Sequence, residues 1–320
     1  MEPLKILFLA PHWRVSLIKA FQDAKSGFQQ SVELICVDSD PLAPSFKEAD
    51  RSQVLPLFSD SQCLPSLLEF CQTETISALI PLTNKSIEFM TYNRRELGKG
   101  GRRLWIPDNQ SLETCHDKWK LHEFMEREGF DTPPTFLADK KATSFPFPLI
   151  AKPRRGEGSK NLFVLESYGD WDFYKKKCPD HVFQQRVDGK EFSVDCFFDQ
   201  QGSPRLIVPR ERLTVRGGEV MVSRIDMDAG IIDRVEALGT KLGLTGPCTI
   251  QGIRDEAGKF FFTDVNLRFG SGFVHTIFAG GNVPLMMFKE LAGQELDRQR
   301  PDIRDHSIMT RFPESIFHQE

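Results

Sequence analysis

The stretch TIQGIRDEAGKFFFTDVNLRFGSG, residues 249–272, decides how this chain is read. Two strand-like runs flank a polar segment at 255–258, the pattern of a hairpin. Asp264, Asn266 and Arg268 are two apart, so on a strand all three point the same way. With the turn at 255–258, Gln251 is expected opposite Phe262 and diagonal to Asp264 on that face. Carboxylate and amide oxygens suit magnesium, and a neighbouring guanidinium suits phosphate oxygens. The hairpin is therefore expected to form a magnesium–nucleotide corner.

The 320 residues suffice for two or three packed subdomains. A net charge of -4 provides no field for nucleic acid or an anionic membrane, so neither is expected as a partner. Seven cysteines (36, 63, 71, 115, 178, 196, 248) form no CxxC pair and no metal-ligand spacing, which suggests reduced thiols in a cytoplasmic protein. No apolar run is long enough to cross a bilayer, and the one in MEPLKILFLAPHW is too short for a signal peptide.

Outward from the hairpin, the first third alternates short apolar runs with amphipathic segments. Strands are expected at 5–10, 32–38, 76–82 and 102–107, and helices at 15–24, 66–72 and 87–97. This is the order of an α/β parallel sheet covered on both faces. The turn after the first strand, APHWRV, lacks the glycine fingerprint of dinucleotide binding, which disfavours a dehydrogenase. Residues 117–130 read as a helix capped by Asp117 and stopped at Gly129, with DTPPTF as an extended linker. PFPLIAKP (146–153) and NLFVLES (161–167) make a hairpin across a glycine-bearing loop. A helix at 171–177 and a strand at 181–187 follow. Beyond, the pattern is antiparallel with helices at 231–243 and from 283, so the C-terminal part is α+β.

Lys152 leaves an apolar strand beside Gly156, Gly158 and Ser159, where an ammonium and backbone amides together can meet a phosphate. A hairpin turn with a surface lysine would read the same. Lys118, just after the cap, is a second phosphate candidate or plain helix-surface charge. In FQQRVDGKEFSVD (183–195) the strand breaks at Asp188-Gly189. Backbone groups at such a break can read an adenine edge, and Glu191 can accept from ribose hydroxyls. An edge hairpin with a solvated glutamate is the alternative. Arg210, Arg212 and Arg216 offer a carboxylate site or a solvated basic face, with the solvated face preferred.

In this order the features resemble the ATP-grasp superfamily, and within it the proteins related to the carbamoyl-phosphate synthase large subunit. ALIPLTNKSIEF is similar to that family's end-of-strand segment, CHDKWKLHEFMEREGFDTPPTF to its DK…L…G…P segment, and AKPRRGEGSKNLFVL to its glycine loop. FQQRVDGKEFSVD and TDVNLRFGSG are similar to its two later motifs. Asn161 stands where glycine is usual, Gln185 where glutamate is common, Asp264 for glutamate and Leu267 for proline.

The resemblance covers nearly the whole chain. It implies a Rossmann-like pre-ATP-grasp domain (1–109), a small lid subdomain (110–183) and an antiparallel-sheet subdomain (184–320). ATP and magnesium are the implied cofactors. Lys118 and Lys152 would contact the phosphates under the loop of Gly156, Gly158 and Ser159. Gln185, Arg186 and Val187 would lie along the adenine, with Glu191 on the ribose. Gln251, Asp264 and Asn266 would hold the metal, and Arg268 would be the catalytic residue at the γ-phosphate. The implied activity joins a small-molecule carboxylate to an amine through an acyl-phosphate, and a homodimer is a reasonable expectation. Carbamoyl-phosphate-type chemistry on bicarbonate or carbamate, or a non-catalytic ATP-binding regulatory module, are the alternatives. His275 and Gly280-Gly281 are candidates for shaping the acceptor pocket.

Overall fold

A computed structural model describes residues 2–139, 146–156, 161–297 and 299–317. The N-terminal region alternates β1 (Leu4–Leu9), α1 (Val15–Ala24), β2 (Val32–Asp38), β3 (Arg51–Val54), α2 (Cys63–Thr73) and β4 (Ala78–Pro81). Then come α3 (Asn84–Tyr92), α4 (Arg94–Leu97) and β5 (Arg103–Leu104). All pairings are parallel, in the order β3-β2-β1-β4-β5. The unbroken apolar run of β1 follows from burial on both sides. Ile6 and Phe8 enter one core, Leu7 and Leu9 another.

Next come α5 (Asn109–His116), α6 (Lys118–Arg127), β6 (Thr135–Leu137), β7 (Leu149–Pro153), β8 (Phe163–Leu165), α7 (Tyr168–Lys177) and β9 (His181–Gln185). The four strands pair antiparallel as β6-β9-β7-β8. Their small core holds Leu149, Ala151, Leu165 and Phe183, closed by Trp171 of α7. By contrast, α6 sends Leu121 and Met125 into the core of the C-terminal sheet.

That sheet contains β10 (Lys190–Phe198), β11 (Pro204–Arg216), β12 (Glu219–Ile225), β13 (Gly246–Arg254), β14 (Phe260–Asn266) and β15 (Ile308–Thr310). The order is β14-β13-β10-β11-β12-β15, antiparallel throughout. Phe192, Val194, Cys196 and Phe198 of β10 pack under α8 (Ala229–Lys241). At Gly239 that helix comes so close that a Cβ would lie 2.2 Å from the Phe198 ring. On the opposite face, Phe197 and Val208 join Phe8 and Phe21 of the N-terminal region in one core. Phe273 of α9 (Phe273–Phe278) and Met287 and Phe288 of α10 (Val283–Leu291) complete it. A fully buried phenylalanine contributes about 1.5–3 kcal/mol, so this shared core binds the two sheets firmly.

Several elements depart from expectation. DTPPTF is not all linker, because Thr135–Leu137 pairs with β9. The helix expected over 87–97 breaks at Asn93, whose side-chain amide donates to the Phe89 carbonyl at 2.8 Å and caps the first piece. The strand expected over 102–107 pairs only at Arg103 and Leu104. Fully exposed β3 carries no apolar alternation, and α5 buries few apolar side chains, so neither advertised itself.

Candidate active site

β13 and β14 form the expected hairpin with a different register. Arg254 stands opposite Phe260 across a turn at 255–259, one residue longer than expected. A bulge between Gln251 and Gly252 then leaves Thr263 without a residue opposite. The two one-residue steps restore the parity that either alone would destroy. Gln251 therefore lies directly opposite Asp264, not opposite Phe262. The bulge also lets Phe260, Phe262, Val265 and Leu267 share one core despite their odd spacing. An isolated glycine in a strand pattern was the signal for it. At Gly252 a Cβ would sit 2.3 Å from the Phe260 ring.

The register builds a polar ladder on one sheet face. Ser193 pairs with both Arg210 and Gln251, and Gln251 with Asp264. Two residues along, Asp195 pairs with Thr249 and Thr249 with Asn266. The backbone amide of Val265 donates to Asp264 Oδ1 at 3.0 Å. Among the described residues no hydrogen bond engages the Gln251 or Asn266 amide, and no three His, Cys, Asp or Glu side chains converge on a metal position.

Opposite this face lies the four-stranded sheet, and between them is a cavity of about 570 Å³. Lys152, Gln185, Val187, Glu191 and Gln251 line it, with apolar walls from Ile150, Leu162, Phe192 and Leu213. Lys152 at the end of β7 donates to Gln184 Oε1 at 2.8 Å and to the Thr263 carbonyl at the bulge at 3.4 Å. Burial pushes its ammonium down to about 8; Asp264 opposes the shift and Lys118 adds to it. The two lysines and Asp264 thus share one electrostatic neighbourhood. Lys118, first residue of α6, donates to the Gly156 carbonyl at 3.1 Å. Asp117 caps α6 through the amides of Trp119 (3.0 Å) and Lys120 (3.4 Å) while pairing with Arg154 at 2.6 Å. Gly156 itself has φ +143, a left-handed region that favours glycine.

Arg268 donates through Nε to Asn84 Oδ1 at 3.2 Å, so the N-terminal region reaches this site through the first residue of α3. Glu191 is half exposed and meets Arg212 at 3.1 Å. His116, on α5, pairs with Glu88 at 3.1 Å. Burial holds its imidazole below the usual range, although Glu88 and Asp264 both pull upward.

Residues 115–272 match the ATP-grasp domain family, and residues 6–103 match the PylC-like N-terminal domain. The chain carries an ATP-grasp domain. No curated protein matches it by sequence. Among solved structures, N5-carboxyaminoimidazole synthetase from Staphylococcus aureus complexed with ADP is similar at TM-score 0.77 and 14% identity, covering 97% of this chain and 82% of that one. Biotin carboxylase from Campylobacter jejuni gives TM-score 0.75 and 18% identity, covering 96% and 75%. The L-amino acid ligase from Bacillus licheniformis gives TM-score 0.71 and 18% identity, covering 91% and 74%.

Within this ATP-grasp domain the expected residues divide clearly. Lys152, Gln185, Val187, Glu191 and Gln251 meet in one cavity, with Asp264, Asn266 and Arg268 on or beside the adjoining sheet face. The Arg186 side chain turns to Asp188 at 3.1 Å and is not among the cavity residues. Gly158 and Ser159 lie outside the described residues. The solvated basic face expected of the three arginines fails for Arg210, which is buried and paired to Asp195 at 2.7 Å. Arg212 is also largely buried, whereas Arg216 is exposed. His275 is enclosed between Ser223 (2.9 Å) and Ser307 (3.1 Å), and burial pushes it down to about 4. The Gly280 turn packs on residue 302, where a Cβ would lie 2.4 Å from the Asp302 carbonyl oxygen. Gln184, Asn84 and the Asp117–Arg154 pair were not singled out by the sequence.

Proposed function

We propose that the protein is an ATP-dependent carboxylate–amine ligase. The observation that carries this reading is Lys152 in the wall of a cavity of about 570 Å³ between the two antiparallel sheets, bonded to the Thr263 carbonyl beside the Gln251–Asp264 pair of the hairpin. The apolar walls suit an adenine ring, and Glu191 at the rim suits ribose hydroxyls. Lys118 and Lys152 then neutralise the phosphates, and Arg268, oriented by Asn84, faces the charge that develops at the γ-phosphate.

In the first step a substrate carboxylate oxygen bonds to the γ-phosphorus while the bond to the ADP oxygen breaks. The resulting acyl-phosphate is attacked at carbon by an amine, and inorganic phosphate leaves. One carboxylate and two amides form a weak set for a free ion. They fit magnesium that arrives bound to phosphates, with Gln251, Asp264 and Asn266 holding the protein side. Magnesium bound there supplies charge neutralisation of the phosphate oxygens.

ADP release measured with pooled carboxylates and amines tests the proposal. Release is expected only when both substrates are present, and Lys152→Ala is expected to lower it about 100- to 1000-fold with the circular-dichroism spectrum unchanged. Full turnover in Lys152→Ala would remove that lysine from the site. Tight ADP binding with no stimulation by any pair would favour a regulatory module, and release driven by bicarbonate alone would favour carbamoyl-phosphate-type chemistry.

A further inference from the structure

A second cleft, of about 450 Å³, lies where β5 and the segment before it meet α10. Its walls include Arg94, Arg102, Arg103, Gly101, Gln200 and Glu290, and it shares no lining residue with the nucleotide cavity. Arg94 and Arg102 have structural work. Arg94 donates to the Pro107 carbonyl, and Arg102 to the Leu97 carbonyl at 2.7 Å. Arg103 has none. Among the described residues its guanidinium makes no hydrogen bond, and its Nε is buried without a partner. Its contact is the face of Trp105, 5.6 Å from guanidinium carbon to ring centroid.

The nearby carboxylate does not answer this charge directly. Both Glu290 oxygens are taken, one by Trp105 Nε1 at 3.0 Å and the other by the Gln200 amide at 2.7 Å. None of the three arginines has a carboxylate in ion-pair contact among the described residues. Burial makes the Arg103 cation harder to keep, and Arg94 adds repulsion against the pull of Glu290. Gly100 and Gly101 both have left-handed φ (+75 and +76), and a Cβ at Gly101 would meet nothing within 4 Å.

We propose that this cleft binds a small, multiply charged phosphate-class anion. Guanidinium forks match phosphate oxygens in pairs and stay charged at every working pH. Such an anion supplies the acceptors that Arg103 lacks and relieves the repulsion between Arg94 and Arg103. The site stands apart from the nucleotide cavity, but α3 joins them. That helix begins at Asn84, which touches Arg268, and ends at Tyr92, with Arg94 following after Asn93 at the start of α4.

The test is calorimetric titration of magnesium-free inorganic pyrophosphate into the full chain carrying Lys118→Ala and Lys152→Ala, which removes the phosphate contacts proposed for the nucleotide cavity. Binding is expected to persist in this host and to weaken at least tenfold when Arg103→Gln is added. Should Arg103→Gln disturb folding, Gly101→Asp against Gly101→Asn decides, since both side chains tolerate left-handed backbone and differ by one charge. Asp is expected to weaken binding at least tenfold relative to Asn. No binding in the host, or equal affinity for the Asp and Asn variants, overturns the proposal.

Discussion

On one face of the six-stranded sheet, two neighbouring sets of polar groups are treated in opposite ways. Asp195 is fully buried and met by Arg210 at 2.7 Å, Thr276 at 2.7 Å and Thr249 at 3.0 Å. Two residues along the same strand from Thr249, the Gln251 amide is met by no described residue. In the closed set both Asp195 oxygens are engaged by side chains without a ligand, Arg210 Nη1 alone being left over, and the set holds backbone as well. Thr249 Oγ1 accepts from the Gly270 amide at 3.0 Å, and Gly272 leaves room for the Arg210 guanidinium, which lies 2.6 Å from where a Cβ would be. In the open set Gln251 lines the cavity, and among the described residues Asp264 accepts only from the neighbouring Val265 amide and none engages the Gln251 or Asn266 side chain. The difference teaches that a polar sheet face can be half scaffold and half site, and that hydrogen-bond satisfaction tells the halves apart.

The comparison breaks first at Asp195. Asp195→Ala leaves the Arg210 charge buried and unpaired, so stability is expected to fall by about 3–5 kcal/mol in urea unfolding. Replacing both partners, Asp195→Leu with Arg210→Met, should cost far less. A loss below about 1 kcal/mol in the single variant would show that the closed half is not scaffold.

The open half should respond the other way. Asp264→Asn combined with Asn266→Ala is expected to leave the urea midpoint nearly unchanged while raising the magnesium needed for half-maximal ADP release by about tenfold or more. A magnesium titration matching the wild type would contradict the metal role proposed for these two residues.

The smallest effect is in pH. Burial has already pushed Lys152 down to about 8, and phosphate needs the charged form. Below that value the ammonium is present and ADP affinity should be level. As pH rises through it, binding must take up a proton, so Kd should climb by at most about tenfold per unit. Lys152→Arg should flatten the climb, because guanidinium stays charged. A wild-type affinity that is level from pH 7 to 9 would reject the linkage.

The parallel sheet was legible because β1, β2 and β4 are buried on both faces and therefore spell continuous apolar runs. Helix α6 was legible because Asp117 and Gly129 punctuate it, with the glycine at φ +77. In the hairpin the residue types were readable but the register was not. A bulge changes no letter except the glycine beside it, and a turn of one more residue leaves no trace in composition. Partners far along the chain were invisible for a different reason. Lys152 and Gln184 are 32 residues apart, and Arg268 and Asn84 are 184 apart. Such pairs come from the way separate sheets are brought together, which local spacing does not encode.

Asp117 is a tether as well as a cap. Its helix, α6, is anchored in the core of the six-stranded sheet, while Arg154 leaves the four-stranded sheet at the end of β7. The pair at 2.6 Å, doubled by the Lys118 amide donating to the Arg154 carbonyl at 3.0 Å, joins the Lys152–Thr263 bond and the chain running from β9 into β10 in tying the two sheets together. Lys118 stands beside this tie, while Glu191 and Leu162 line the cavity from either side, so the spacing of the tied sheets sets the width of the opening.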